Sequence, residues 1–257
     1  MQEHAAERGI QFTDDPALSV NAVRFEDGQW VLTPGLTSYY RWAVSSGALD
    51  VPLNDHESLT LPGVGSTLRQ RLGIRVDGPQ GLDGLPVPVK AGCGAAVVTT
   101  DGQLILGVRN KAFVAGGPAG ERARVHVVAE GMVGGDTDAS EVISPRAAAH
   151  RGLFEELGIR TAEIIEAGWF IDTQRLQPVF AHLAYVPVTF DEVVESKLTA
   201  HDGWEADRLI ALPFAPGPTM DALLAGTHPE LVLASNHAQA FVQAALDTAC
   251  GQSLATA

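Results

Sequence analysis

From Cys93 to Leu212, short apolar runs alternate with turn residues in an order that predicts alternating strands and helices. Cys93 to Thr100 reads as a buried strand, Asp101-Gly102 as a turn and Leu104 to Arg109 as a second strand. Lys111 to Gly120, containing Gly116-Gly117-Pro118, is a loop. Arg124 to Glu130 predicts a third strand, entering a Gly-rich loop at Gly131 to Asp138. A helix is expected over Ser144 to Leu157. Strands near Ile164 to Ile171 and Val179 to Val188, a helix near Asp191 to Leu198 and a short strand at Arg208 to Leu212 follow.

The flanks differ in pattern. Val20 to Phe25 and Trp30 to Thr33 surround a turn at Asp27-Gly28, the signature of a hairpin. Leu36 to Ser46 predicts a short helix with Tyr39, Tyr40 and Trp42, and Gly63 to Pro88 reads mostly as loop and short strands. After Pro216 and Pro218, Leu231, Ala234, Ala238, Phe241 and Ala245 recur at helical spacing, before an Ala-rich tail expected to fray. The expected division is an N-terminal α+β subdomain at 1–90, a main domain at 91–215 and a helical extension at 216–257 packed on it.

Composition narrows the partners. A formal charge of −14 argues against a nucleic-acid backbone or an anionic membrane, since either would repel the chain. A small anionic substrate remains admissible, because a bound divalent cation reverses the local field. The start MQEHAAERGI lacks a signal-peptide layout and no apolar run reaches membrane-spanning length, so a cytoplasmic location is expected. Cys93 and Cys250 form no CxxC motif and read as buried thiols. The eight histidines show no HxxxH spacing, and His126, alone in an apolar strand, reads as structural. The Gly-rich loops lack both the Lys-Ser/Thr of a P-loop and a GxGxxG run.

The chemistry concentrates in Ser144 to Ile159. Ser144 suits the N-cap, Pro145 the first helical position and Gly158 the position past the end. Arg151 stands one turn before Glu155, so the two share a face. Glu155 and Glu156 together at a helix C-terminus oppose the dipole, a conflict that a hard cation removes. Such a pair is also common on solvated surfaces.

This segment resembles the Nudix box, G-x5-E-x7-R-E-U-x-E-E-x-G-U, where U is a bulky aliphatic residue. Arg151, Leu153, Glu155, Glu156, Gly158 and Ile159 match its second half in register. The resemblance implies an α/β fold, a Nudix-type α/β/α sandwich with a mixed sheet, here with the small mixed N-terminal subdomain. It implies a pyrophosphohydrolase using Mg²⁺ or Mn²⁺, with Glu155, Glu156 and the carbonyl of Gly131 as metal ligands and Arg151 orienting a glutamate. Two departures stand out: Gly152 replaces the glutamate after the arginine, and Ile143 falls where the earlier glutamate belongs. The first glycine aligns at Gly131 only if the loop is six residues longer than the pattern, and Glu141 in that loop is a candidate for the missing acid or a plain exposed residue.

A distal base or ligand is expected after the box, where Asp202 and Glu205 lie in an acidic stretch that an ordinary surface loop would also explain. Trp204 is a candidate to stack on a nucleobase or to anchor the loop. Arg109, Lys111 and Arg175 are candidates for phosphate or base contacts, as well as solvated side chains. The hairpin followed by Thr37-Ser38-Tyr39-Tyr40-Arg41 also looks like a branch that includes UDP-sugar diphosphatases. A nucleoside diphosphate sugar is therefore the leading substrate class, with neither nucleic acid nor membrane as partner. Families of this kind commonly dimerise, making a homodimer one expected form. The alternative is a non-catalytic Nudix-fold module that binds or senses a nucleotide, which Gly152 and Ile143 favour and Glu155, Glu156 and Arg151 oppose.

Overall fold

Strand β3 (Gly92–Val98) is buried along its whole length, and its alternating side chains feed two separate cores. Cys93, Ala95 and Val97 enter one, Ala96 and Val98 the other. This period-two division is what a sheet covered on both faces requires. The computed structural model describes residues 15–27, 29–50, 66–109 and 122–251. The Lys111 loop with Lys111 itself, Gly28 of the first turn and the tail after Gly251 lie outside the described residues.

In chain order the elements are β1 (Pro16–Glu26), β2 (Gln29–Ser38), α1 (Tyr39–Ala43), α2 (Leu68–Leu72), β3, β4 (Gln103–Arg109), β5 (Ala123–His126), β6 (Val128–Gly131), α3 (Pro145–Leu157) and β7 (Glu163–Asp172). Then come β8 (Gln177–Tyr185), α4 (Phe190–Lys197), β9 (Ala206–Pro213), α5 (Pro218–Leu224), β10 (Leu231–Leu233) and α6 (Asn236–Ala249). Among the described residues the main sheet has eight strands. It is mixed: β3–β8 and β10–β5 are parallel, while β4 pairs antiparallel with β3, β5 and β9. Helices α3 and α4 cover the face with Cys93 and Val97, and α5 and α6 cover the face with Ala96 and Val98. The result is an α/β/α sandwich, as the resemblance implied.

Three expectations change. The single strand expected over Arg124 to Glu130 is two, because the chain leaves β4 after His126 and pairs with β3 from Val128 onward. Leu231, expected in a helix, lies in β10 beside Ala123. Residues after 216 thus supply a strand of the sheet as well as helices. Gly63 to Pro88 contains α2, closed at its start by a Thr67–Gln70 capping box and at its end by Gly73 in the left-handed conformation. The hairpin forms as expected, longer at both ends. Cys93 is buried, whereas Cys250, just past α6, is exposed. No helix among the described residues is long and apolar enough to cross a membrane.

The N-terminal segment shares a core with α3. Leu18, Val20, Leu49, Ile74 and Leu82 pack in the cluster that contains Leu153 and Leu157. Backbone bonds run from Leu18 N to Met132 O at 2.8 Å and from Ala91 N to Leu18 O at 2.9 Å. On the other face α6 approaches β3 so closely that a Cβ on Gly94 would lie 2.4 Å from the Phe241 ring. Gly94→Ala is therefore expected to cost roughly 1–3 kcal/mol through overpacking. Urea unfolding would show this as a lower midpoint at unchanged slope; an unchanged midpoint would mean that Phe241 can move aside freely.

Candidate functional site

Helix α3 is punctuated as its residues dictate. Ser144 accepts from the Ala147 N–H at 3.3 Å, and Gly158 closes the helix at φ 72° with its N–H on Phe154 O. Glycine is needed there twice over: the left-handed conformation suits it, and a Cβ would fall 2.5 Å from Ser196 Oγ in the last turn of α4.

Arg151, projecting from this helix, is the hub of the site. Its Nε donates to Asp136 Oδ1 at 2.9 Å and its Nη2 to Asp136 Oδ2 at 3.2 Å, a bidentate pair. Nη1 donates to Glu155 Oε2 at 2.7 Å, and Nη2 also reaches the Gly131 carbonyl at 2.8 Å. Asp136 is only 3% exposed and accepts in addition from the Val133 N–H at 2.7 Å. Sequence reasoning missed Asp136. Its only signal was the excess length of the loop that carries it, and Glu141, considered for that loop, instead sits in an exposed turn at φ 62°.

The two adjacent glutamates part company. Glu155 turns to Arg151, while Glu156 Oε1 accepts from the Ala129 N–H of β6 at 3.0 Å. Glu156 lines a small open cleft together with Arg109, Lys197, Asp202 and Glu205, with Ile105 and Leu209 among its apolar lining. The 3-10 turn Gly203–Glu205 is docked against α3 by the Asp202 N–H, which donates to the Glu155 carbonyl at 2.7 Å.

In that cleft Arg109 Nη1 lies 3.2 Å from Glu205 Oε2. Burial lifts the Glu205 carboxyl above the usual carboxylate range; Arg109 pulls it down, and Asp202 and Glu155 push it further up. His126 lies at the cleft's edge, 7% exposed, with Nδ1 2.7 Å from the Val127 carbonyl and Nε2 3.2 Å from Ser235 Oγ. Burial depresses its pKa to about 3, so it is a neutral core histidine at pH 7.

Trp204 is 41% exposed, its Nε1 donating to Asp202 Oδ1 at 3.3 Å, so it is tethered to the cleft loop. Arg175 stands in the β7–β8 turn, outside the cleft lining, with its backbone N–H on Asp172 Oδ1 at 3.1 Å. Glu155 and the Gly131 carbonyl, expected as metal ligands beside Glu156, are both partners of Arg151.

Among the described residues no three His, Cys, Asp or Glu converge as a closed metal cage. The donors do suit Mg²⁺ in kind. That ion is commonly held by one or two carboxylates with the substrate's phosphates completing the shell, and Glu156 and Glu205 present hard oxygens to one cleft. The acids crowding Glu205 are a stress that a cation relieves.

No protein-family model matches the chain, and no curated protein does. Solved structures do. It is similar to a mutT/nudix family protein from Listeria innocua, at 21% identity and a TM-score of 0.41 over 65% of this chain and 98% of that one. It is similar to a protein from Deinococcus radiodurans at 14% identity and TM-score 0.40, over 60% and 82% of the respective chains. A NUDIX hydrolase from Nitrosomonas europaea aligns at 14% identity and TM-score 0.39, over 64% and 91%. The chain's own topology is an α/β/α sandwich with a mixed sheet, and its Arg151 helix resembles a Nudix box that departs from the pattern at Gly152 and Ile143.

Proposed function

We propose that this chain hydrolyses the phosphoanhydride bond of a nucleoside diphosphate linked to another group, with nucleotide sugars as the first class to test. The observation that carries the reading is one cleft holding Glu156, oriented by a backbone N–H, and Glu205, a carboxyl lifted by burial beside Arg109. A base with a raised pKa is suited to taking a proton from an attacking water near neutral pH. Arg109 restrains Glu205 in the free protein and is placed to turn to a phosphate oxygen once an anion enters.

A divalent cation, held by Glu156 with Glu205 or Asp202 nearby, supplies neutralisation of the diphosphate oxygens when bound. The protein's own contribution is to orient those carboxylates, through Ala129 for Glu156 and through the docked turn for Glu205. Arg151 acts one step back, fixing Glu155 and the start of the loop at Gly131.

The test is turnover of UDP-sugars, ADP-ribose and nucleoside triphosphates with Mg²⁺, followed by chromatography of the nucleotide products. Glu156→Gln keeps an oxygen for the Ala129 N–H and removes the charge. A loss of about 100-fold or more is expected, with the fold intact. Glu156→Gln turning over as fast as wild type would sink the assignment. The second reading, a nucleotide-sensing module, is favoured by Gly152 and by the acids that do not converge among the described residues. Ligand-induced thermal stabilisation without any product would support it.

A further inference from the structure

Lys197 is the last residue of α4 and lines the cleft. Its ammonium donates to the carbonyl oxygens of Gly203 and Ala206, the latter at 2.8 Å. The turn is shaped around this residue: a Cβ on Gly203 would fall 2.6 Å from the Lys197 carbonyl oxygen. An ammonium has three N–H donors. The third finds no partner among the described residues, and Lys197 lines the same cleft as Glu156 and Glu205.

The charge balance of the cleft singles it out. Arg109 is paired with Glu205 at 3.2 Å. Lys197 is anchored by neutral carbonyls, and no carboxylate lies within ion-pair distance of it among the described residues. Its charge is therefore held in place without being cancelled. Burial pushes its pKa down, whereas Asp207 and Glu156 favour the charged form. A cation fixed in this way loses little side-chain freedom when it meets an anion, which makes it a pre-organised donor.

We propose that Lys197 is a ligand-binding residue whose third N–H is donated to an anionic phosphate oxygen lying beside Glu156. This rests on the reading that the cleft takes a phosphoanhydride. Lys197 would share the task of neutralising the diphosphate with the divalent cation, in a site whose box has Gly152 and Ile143 where two glutamates belong.

The experiment is calorimetric titration of the full chain with inorganic pyrophosphate in Mg²⁺, for wild type, Lys197→Gln and Lys197→Met. Gln keeps two neutral N–H donors, one bond shorter than the ammonium, for the Gly203 and Ala206 carbonyls and carries no charge. Both variants should bind about 10- to 100-fold more weakly, the range for losing a charged hydrogen bond. Their affinity should also depend less steeply on salt than that of wild type, a change that a merely structural role would not produce. Three results would overturn the proposal: no binding by wild type, unchanged binding in both variants, or loss confined to Lys197→Met with Lys197→Gln normal. In the last case the lysine only pins the turn. Lys197-dependent binding without turnover of any substrate would remove the hydrolase reading and leave this assignment standing. Turnover with an unchanged KM in Lys197→Gln would do the reverse.

Discussion

Asp136→Ala is expected to lower stability by roughly 2–3 kcal/mol, just under the range for breaking a fully buried ion pair because Arg151 keeps a quarter of its side chain in solvent. Asp136 itself is nearly inaccessible and takes two hydrogen bonds from the guanidinium and one from the Val133 N–H. Its removal leaves Arg151 with Glu155 and a carbonyl as partners and frees the loop that the aspartate ties down. For a domain of this size the midpoint of thermal unfolding should fall by about 5–10 °C. Asp136→Asn, which keeps the shape and some of the bonding, should fall between the two. Turnover measured well below the melting point should drop as well, since Glu155 and the Gly131 carbonyl lose a fixed partner. A melting point within a degree of wild type in Asp136→Ala would show that the bidentate pair contributes nothing measurable.

Glu205→Gln is expected to separate activity from stability. If Glu205 takes the proton from the attacking water, its loss should cost about 100- to 10,000-fold in kcat. The same change should not destabilise the fold. The folded-state pKa of Glu205 is raised, chiefly by burial. A carboxyl of that kind binds its proton more tightly folded than unfolded, so its contribution to stability is fully present below the unfolded value. That contribution is lost as pH rises through the folded value. At pH 7 the ionised carboxylate is thus a net burden that an amide does not impose, even though the bond to Arg109 weakens. The wild-type profile of kcat/KM should show an acid limb placed above that of an ordinary glutamate, and that limb should vanish from whatever activity Glu205→Gln retains. An acid limb that stays in the variant would assign the titration to another group.

The helix at the centre of the site was legible because every signal for it is local. Ser144, Pro145 and Gly158 mark its ends through capping and backbone preferences that need no tertiary partner. The strands β3, β4, β7, β8 and β9 were legible for the same reason, from apolar runs between turn residues. The break at Val127 was not, since Arg124 to Glu130 contains no turn residue and only the pairing partners divide it. Leu231 failed in the opposite sense: it fits the helical period of the segment after it, but pairing with Ala123 made it a strand.

The site residues follow the same line. The sequence by itself determined that Arg151 and Glu155 share a helix face, because a separation of four residues places them one turn apart, and it placed Glu156 beside them on the same helix. It also set the acidic stretch with Asp202 and Glu205 before a strand. Only the tertiary structure decided that Glu156 faces a cleft while Glu155 is held by Arg151, since that depends on β6 offering its Ala129 N–H and on the loop bringing Asp136. It alone joined Arg109, Lys197 and Glu205, residues from β4, α4 and the turn before β9. Short-range periodicity fixes which side chains share an element, but contacts between elements distant along the chain are chosen by packing and by the pairing of buried charges, which leave no local mark in the sequence.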